Sequence, residues 1–250
     1  MKNLKVIGIF IVICVILYCL CKKNTIENMA HINNKNIVEQ KFNNYEKKAC
    51  AKLKKEANEF KKKMTKQIIY TKILKKTKEV LDELRIPFFI SSGTCLGYLR
   101  EGKFLDHDYD IDVGIFREDY TPIIINKMAE KGLILYRTLG NVKDGLELSF
   151  RLKGTRLGKH AKIDIFLHYK ENDNIYWISY IAPKFKKVIK YQVSDFILKP
   201  VNFMDTTINV PYPTVKYIRE HYGSDWYIST KPNILGGSYD YRTSPTSIVK

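Results

Sequence analysis

The chain has 250 residues and a mass of 29.3 kDa, with 45% hydrophobic and 12% aromatic residues, enough for one compact core but not for two large enzymatic domains. Of its cysteines, Cys14, Cys19 and Cys21 share one apolar run and only Cys50 and Cys95 remain, which excludes a disulfide scaffold, and no Cys/His spacing suits structural zinc. The formal charge of +17 sits mostly in the N-terminal third, where residues 22–85 hold 18 Lys and Arg against 8 Asp and Glu while residues 86–250 hold 23 against 18; this marks a solvated or membrane-proximal stem and disfavours a nucleic-acid groove.

Val6 to Cys21 is an uncharged apolar run flanked by Lys2 and Lys5 before it and Lys22 and Lys23 after it. With snorkelling lysines it approaches the roughly 20 residues that cross a bilayer, so residues 1–23 read as a transmembrane anchor. A cleaved signal peptide is the alternative, weakened by the missing small-residue cleavage pattern. The flanking lysines slightly favour a cytoplasmic C-terminal side, and the sequence holds no Asn-x-Ser/Thr sequon. Residues 24–63 form a polar, Lys-rich and partly helical stem. The remaining 64–250 read as one domain.

Ile69, Ile73, Val80 and Leu84, with Leu74 and Leu81 beside them, recur at helical intervals, placing an amphipathic helix over 64–85 that Pro87 stops. Short runs follow: a strand over Pro87–Ser91, a Gly-containing turn, and a strand over Asp110–Phe116. Thr121 and Pro122 open a helix that Gly132 closes. Strands are expected near Leu133–Leu139, Leu146–Leu152, Ala161–Tyr169 and Ile175–Ile181, and a last helix over Thr214–Tyr222 ends at Gly223. The order is that of an α+β domain with a mixed sheet and flanking helices.

The chemistry concentrates in FISSGTCLGYLREGKFLDHDYDIDVGIF, residues 89–116. Asp108, Asp110 and Asp112 stand at spacing two, which in an extended strand puts the carboxylates on one face while Ile111, Val113 and Ile115 enter the core. Like charges so placed repel, and a divalent cation with oxygen ligands, Mg²⁺ or Mn²⁺, makes the arrangement favourable; incidental acids on a solvated edge are the alternative. Asp164 alternates with Ile163 and Ile165 and projects opposite to them, so it can complete such a metal site or accept a proton. Ser92, Gly93 and Thr94 form a turn whose backbone N–H groups and hydroxyls can hold a phosphate, a weak signal by itself.

These residues resemble the LicD and fukutin type of nucleotidyltransferase-fold protein. The resemblance is carried by Ser92-Gly93-Thr94-Cys95-Leu96-Gly97-Tyr98, Arg100-Glu101-Gly102, Asp110-Ile111-Asp112-Val113-Gly114-Ile115, the KIDIFLHY segment around Asp164 and EHYGSDW around Tyr222 and Gly223, and covers about residues 68–230. It implies a nucleotidyltransferase-like mixed sheet and a metal-dependent transferase. Such an enzyme moves a phosphorylated alcohol, ribitol phosphate or phosphocholine, from a CDP-activated donor to a glycan acceptor. It assigns Asp110 and Asp112 to the metal-binding Asp-x-Asp, Asp108 to an additional acid, Asp164 to the third carboxylate and Gly93 to the nucleotide loop. Asp106, where a Pro is usual, and Tyr109, where LicD members often carry an acid and fukutin a Lys, depart from the pattern; they bear on donor identity and leave the metal set intact. The Cys-rich zinc insertion of the fukutin-related branch is absent. Members of the eukaryotic branch often have one N-terminal anchor and face the Golgi lumen, so the resemblance implies a single-pass type II protein of the Golgi or ER, against the weak charge signal. A catalytically inactive, membrane-anchored glycan-binding or scaffolding protein is the other class of function, and retention of Asp110, Asp112 and Asp164 speaks against it.

Overall fold

The computed structural model describes residues 35–155, 161–182, 187–228 and 248–249. The chain divides into two compact units, residues 1–60 and 61–250. Among the described residues no helix is long and apolar enough to cross a membrane. The anchor expected at residues 1–23 lies outside them, as does the first part of the stem.

Helix α1 runs from Lys35 to Glu83, so the helix read from periodicity at 64–85 is the last part of a longer one. Lys and Glu make up about half of the added length, and no Gly or Pro interrupts it; propensity sustains a helix there without an apolar stripe. In the second unit α1 contributes Tyr70, Ile73, Leu74, Val80 and Leu81 to the core. Pro87 pushes the chain into an extended path, and β1 (Phe88–Ile90) follows. The Ser92-Gly93-Thr94 turn is the first turn of α2 (Ser92–Glu101), closed by Gly102 in the left-handed conformation. Next come β2 (Ile111–Phe116) and α3 (Ile123–Glu130). Thr121 still serves this helix start by accepting the Ile123 N–H at 3.4 Å, with Pro122 in the cap position.

The remaining elements are β3 (Leu133–Asn141), β4 (Gly145–Leu152), β5 (Lys162–Glu171), β6 (Asn174–Ala182), β7 (Lys187–Ser194), β8 (Ile197–Phe203), β9 (Thr206–Tyr212), α4 (Thr214–Tyr222) and β10 (Ile248–Val249). They build the expected mixed sheet, in the order β10-β7-β6-β5-β2-β1-β9-β8, with β3 and β4 attached through β5. The β2–β5 and β1–β9 pairs are parallel and the others antiparallel. One edge of β5 is shared: β4 pairs with it over Lys162–Phe166 and β6 over His168–Glu171. The other edge carries β2, and the register sets Asp112 beside Asp164.

Among the described residues, β7, β8, β9 and β10 are strands that the sequence reading does not contain. Pro200 and Pro211 argue against β8 and β9 as strands, but β8 is the last strand in the sheet order, where a missing N–H costs no ladder bond. Pro211 lies beyond the single β1–β9 pair at Phe89 and Asn209. The core fills both sides of the central strands. Ile111, Val113, Ile115, Ile163, Ile165 and Leu167 are buried on one face, and on the other the acidic row gives way to Phe89, His168 and Trp177. Gly114 keeps that transition open, because a Cβ there would lie 2.4 Å from the Phe89 ring and 2.6 Å from that of His168.

Candidate active site

Asp112 stands at the middle of the site, with a neighbouring element on each side. The backbone N–H of Ser91 donates to its carbonyl at 3.1 Å, continuing the β1–β2 ladder past Ile90. Its own N–H donates to Thr94 Oγ1 at 2.8 Å, and its Oδ2 accepts the Gly93 N–H at 3.0 Å. The start of α2 therefore aims a backbone donor at the carboxylate, where the partial positive charge of a helix N terminus favours an anion. Ser92 takes a left-handed φ of 41°, and its N–H donates to the Tyr217 hydroxyl of α4 at 3.3 Å. Gly93 is required by space: a Cβ would sit 2.4 Å from Asp108 Oδ2 and 3.2 Å from Asp112 Oδ2.

Asp108 and Asp110 reach the site by a different route from the one that spacing suggests. β2 begins at Ile111, so strand alternation places only Asp112. Asp108 follows a turn in which its N–H donates to Leu105 O at 3.2 Å, and α1 holds that loop from below. Lys66 Nζ donates to the carbonyls of Leu105 (2.7 Å), Asp106 (3.1 Å) and Asp108, while Gln67 exchanges two hydrogen bonds with the Phe104 backbone, at 2.8 and 3.2 Å. Asp108, Asp110 and Asp112 each offer a carboxylate oxygen within 4.8 Å of the others.

Asp164 was expected to project away from the buried side chains, yet it is itself buried, at 3% exposure, because β4 and β2 flank it and further side chains close over it. Lys162 Nζ lies 2.8 Å from Asp164 Oδ2 and 2.5 Å from Asp110 Oδ2, bridging the two acids. Ser149 pairs with Asp164 across the β4–β5 ladder, and Arg137 pairs with Ser149 from β3. Arg137 Nε donates to Ser149 Oγ at 3.2 Å, its Nη2 pairs with Glu147, and the same Nη2 stands 3.8 Å from Asp164 Oδ2.

Burial, then the charges of Asp110, Asp108 and Asp164, hold the Asp112 carboxyl well above its ordinary range. Burial followed by Asp110 does the same to Asp108, with Lys66 in partial opposition. Asp164 is raised by burial against the pull of Lys162. For Asp110 burial also works upward, but Lys162 and a hydrogen bond with Asp108 overcome it and the carboxyl is lowered. Lys162 is correspondingly raised: burial opposes its charge and Asp164 and Asp110 outweigh it. Burial and Asp164 push Glu147 up to about 7 despite Arg137.

This donor set fits a divalent cation. The carboxylates of Asp108, Asp110 and Asp112 converge, Asp164 lies beside Asp112 in the β2–β5 register, and Asp164 Oδ1 is buried without a hydrogen-bond partner, a cost that a bound cation removes. Of the residues singled out from sequence, Asp108, Asp110, Asp112, Asp164, Gly93 and Thr94 meet here, while Ser92 turns its N–H to Tyr217. Sequence reasoning missed Lys66, Arg137, Glu147, Ser149 and Lys162. Lys162 was within reach, since it shares the Asp164 face two residues earlier.

Fold and site together define an α/β domain with a strand-borne carboxylate centre facing the glycine-containing start of a helix, a donor set suited to phosphoryl transfer. The family described as LicD/FKTN/FKRP, nucleotidyltransferase domain, matches residues 85–213, and the chain belongs to it. The chain is 37% identical over 176 residues to the ribitol-5-phosphate transferase FKTN of Mus musculus and 35% identical over the same length to that of Homo sapiens. Each match covers 70% of this chain and 36% of the relative, so the chain spans about a third of the length of these proteins. An uncharacterised Caenorhabditis elegans protein is 27% identical over 190 residues, 72% of this chain and 46% of that protein.

Proposed function

We propose that the chain is a metal-dependent transferase that moves a phosphorylated alcohol, ribitol phosphate before phosphocholine, from a CDP-activated donor to a glycan acceptor. The observation that carries the reading is the buried, unpartnered Asp164 Oδ1 beside the converging Asp108, Asp110 and Asp112. The names of the FKTN relatives supply the alcohol. Asp110 and Asp112 with Asp108 and Asp164 would hold Mg²⁺ or Mn²⁺, which supplies Lewis-acid stabilisation of phosphate oxygens.

In the transfer, an acceptor hydroxyl oxygen bonds to the phosphorus of the alcohol phosphate, the P–O bond to CMP breaks, CMP leaves with the electron pair, and the hydroxyl proton passes to solvent or a site carboxylate. Ser92, Gly93 and Thr94 are the candidate seat of the donor phosphates, and Gly93 and Thr94 fix Asp112 from that side. Asp164 acts as a ligand in this reading, because Lys162 already occupies its other oxygen. We also assign residues 1–23 to a membrane anchor, 24–63 to a stem and 64–250 to the catalytic domain, in a type II orientation with the domain in the Golgi or ER lumen.

Incubation of the purified chain with CDP-ribitol, CDP-glycerol or CDP-choline, Mn²⁺ and glycan acceptors tests the activity. Acceptor-dependent CMP release, fastest with CDP-ribitol, is expected. Glycan binding without CMP release from any donor would replace the reading with the inactive binding protein.

A further inference from the structure

Arg151 on β4 stands directly opposite Lys162 on β5, and like charges opposed across an antiparallel pair are destabilising. The other cations nearby are matched: Lys162 by Asp110 and Asp164, Arg137 by Glu147. Arg151 has no carboxylate partner among the described residues, and its Nε is buried without an acceptor. What holds it is an aromatic ring, since the guanidinium carbon lies 3.7 Å from the centroid of Tyr136.

Tyr136 owes its place to an irregularity in the sheet. Leu135 pairs with Phe150 and Arg137 with Ser149, so β3 advances two residues for one on β4 and Tyr136 is the extra residue of a bulge. Bulges re-aim side chains and are over-represented beside active sites. This one sets the Tyr136 ring against Arg151 with the Arg137 guanidinium 5.7 Å away, while Arg137 also reaches to 3.8 Å from Asp164. A stacked guanidinium keeps its edge N–H groups directed outward, in the planar fork that matches two oxygens of a phosphate.

We propose that Arg151, carried on Tyr136 and flanked by Arg137 and Lys162, anchors a phosphate-binding site beside the carboxylates. It would receive a phosphate group of one of the two substrates. The proposal rests on the transferase reading for which substrates these are. The phosphate belongs either to the diphosphate of a nucleotide donor or to a phosphomonoester carried by the other substrate, and the chemistry of recognition is the same.

Calorimetric titration of the full chain with CDP, inorganic pyrophosphate and ribitol 5-phosphate, each with Mn²⁺ present, tests it. Arg151→Gln should weaken at least one of the three by about tenfold or more, as expected for loss of a charge-assisted pair. Arg151→Lys, which keeps the charge but loses the fork and the stacking, should weaken the same anion by about threefold. Mn²⁺ affinity, read by electron paramagnetic resonance, should stay within about twofold of wild type, as the metal ligands are untouched. Loss confined to CDP and pyrophosphate supports the donor diphosphate as occupant, and loss confined to ribitol 5-phosphate supports the phosphomonoester. Unchanged affinity for all three overturns the proposal. If thermal melting shows that Arg151→Gln does not fold, Tyr136→Ala takes its place; it removes the platform and keeps every charge, so weakening of the same anion supports the site and wild-type affinity overturns it. An Asp112→Asn chain that binds Mn²⁺ as wild type does would sink the metal-dependent reading while leaving the anion result as it stands.

Discussion

Asp112 shows at the scale of one residue what the proposed site costs in stability. Its carboxyl is raised well above the ordinary range by burial and by Asp110, Asp108 and Asp164. A carboxyl raised in the fold contributes stability below its unfolded pKa and loses it as pH rises through the folded value. Above its unfolded pKa, then, the group burdens the metal-free protein. Asp112→Asn should raise metal-free stability by about 1 kcal/mol, abolish stabilisation by Mn²⁺ and reduce turnover by about 10² or more. Thermal melting with and without Mn²⁺ reads the first two, and a variant that Mn²⁺ stabilises as much as wild type would remove Asp112 from the ligand set. Asp112 and Asp164 were legible in the sequence because strand alternation is local. Arg137 was not, because its position depends on a bulge that only pairing with β4 reveals.

At the scale of elements, the site depends on a helix that holds none of its acids. Lys66 and Gln67 of α1 tie down the backbone from Phe104 to Asp108, so the loop bearing Asp108 is set by a contact far away in sequence. Lys66→Met would leave three carbonyl groups without this donor. It should destabilise the fold by about 1–3 kcal/mol and also weaken Mn²⁺ binding, by loosening Asp108. Urea unfolding and Mn²⁺ titration measure the two effects, and loss of stability with Mn²⁺ affinity intact would confine Lys66 to a structural role. The same distinction between local and distant causes governs what could be read of the fold. The helix read at 64–85, β1, β2, β5 and α4 carry local apolar patterning, helped by Pro87 and Gly223 at some of their boundaries, and were found. The length of α1 rests on propensity alone, and β8 and β9 carry prolines that only their places in the sheet make acceptable.

For the whole molecule, the layer beyond the acidic row determines acid tolerance. His168 packs against Phe89 and Trp177, and His221 of α4 against Trp177, Tyr191, Tyr217 and Tyr222. Burial lowers both imidazoles to about 3. Below pH 6.5 these two histidines therefore take up protons in the unfolded chain that they refuse in the folded one, and their contribution to stability falls as pH drops from there toward 3. The loss should reach about 2 kcal/mol for each histidine by pH 5. Urea unfolding at pH 7.5 and pH 5 measures it; the raised carboxyls of Asp108, Asp112, Asp164 and Glu147 act in the opposite sense in both chains, so His221→Phe should lose about 2 kcal/mol less than wild type over this interval. An equal change in the variant would mean that His221 is not the group responsible. This layer draws on β1, β5, β6, β7 and α4, so the acidic centre and the aromatic core stand on the same strands.

With Asp110 and Asp164 as the proposed metal ligands, the Lys162 bridge between them would make cation loading an exchange. A tethered ammonium competes at high effective concentration, and a monovalent ion that displaced it would gain no charge over the one it replaced. Only a doubly charged ion would improve on Lys162, so in the proposed metal site the lysine would be a valence filter against Na⁺ and K⁺. At constant ionic strength, replacing choline chloride by sodium chloride should leave the Mn²⁺ affinity of the wild type unchanged and lower that of Lys162→Met. Equal sensitivity to sodium in both chains would show that the acids discriminate without the lysine.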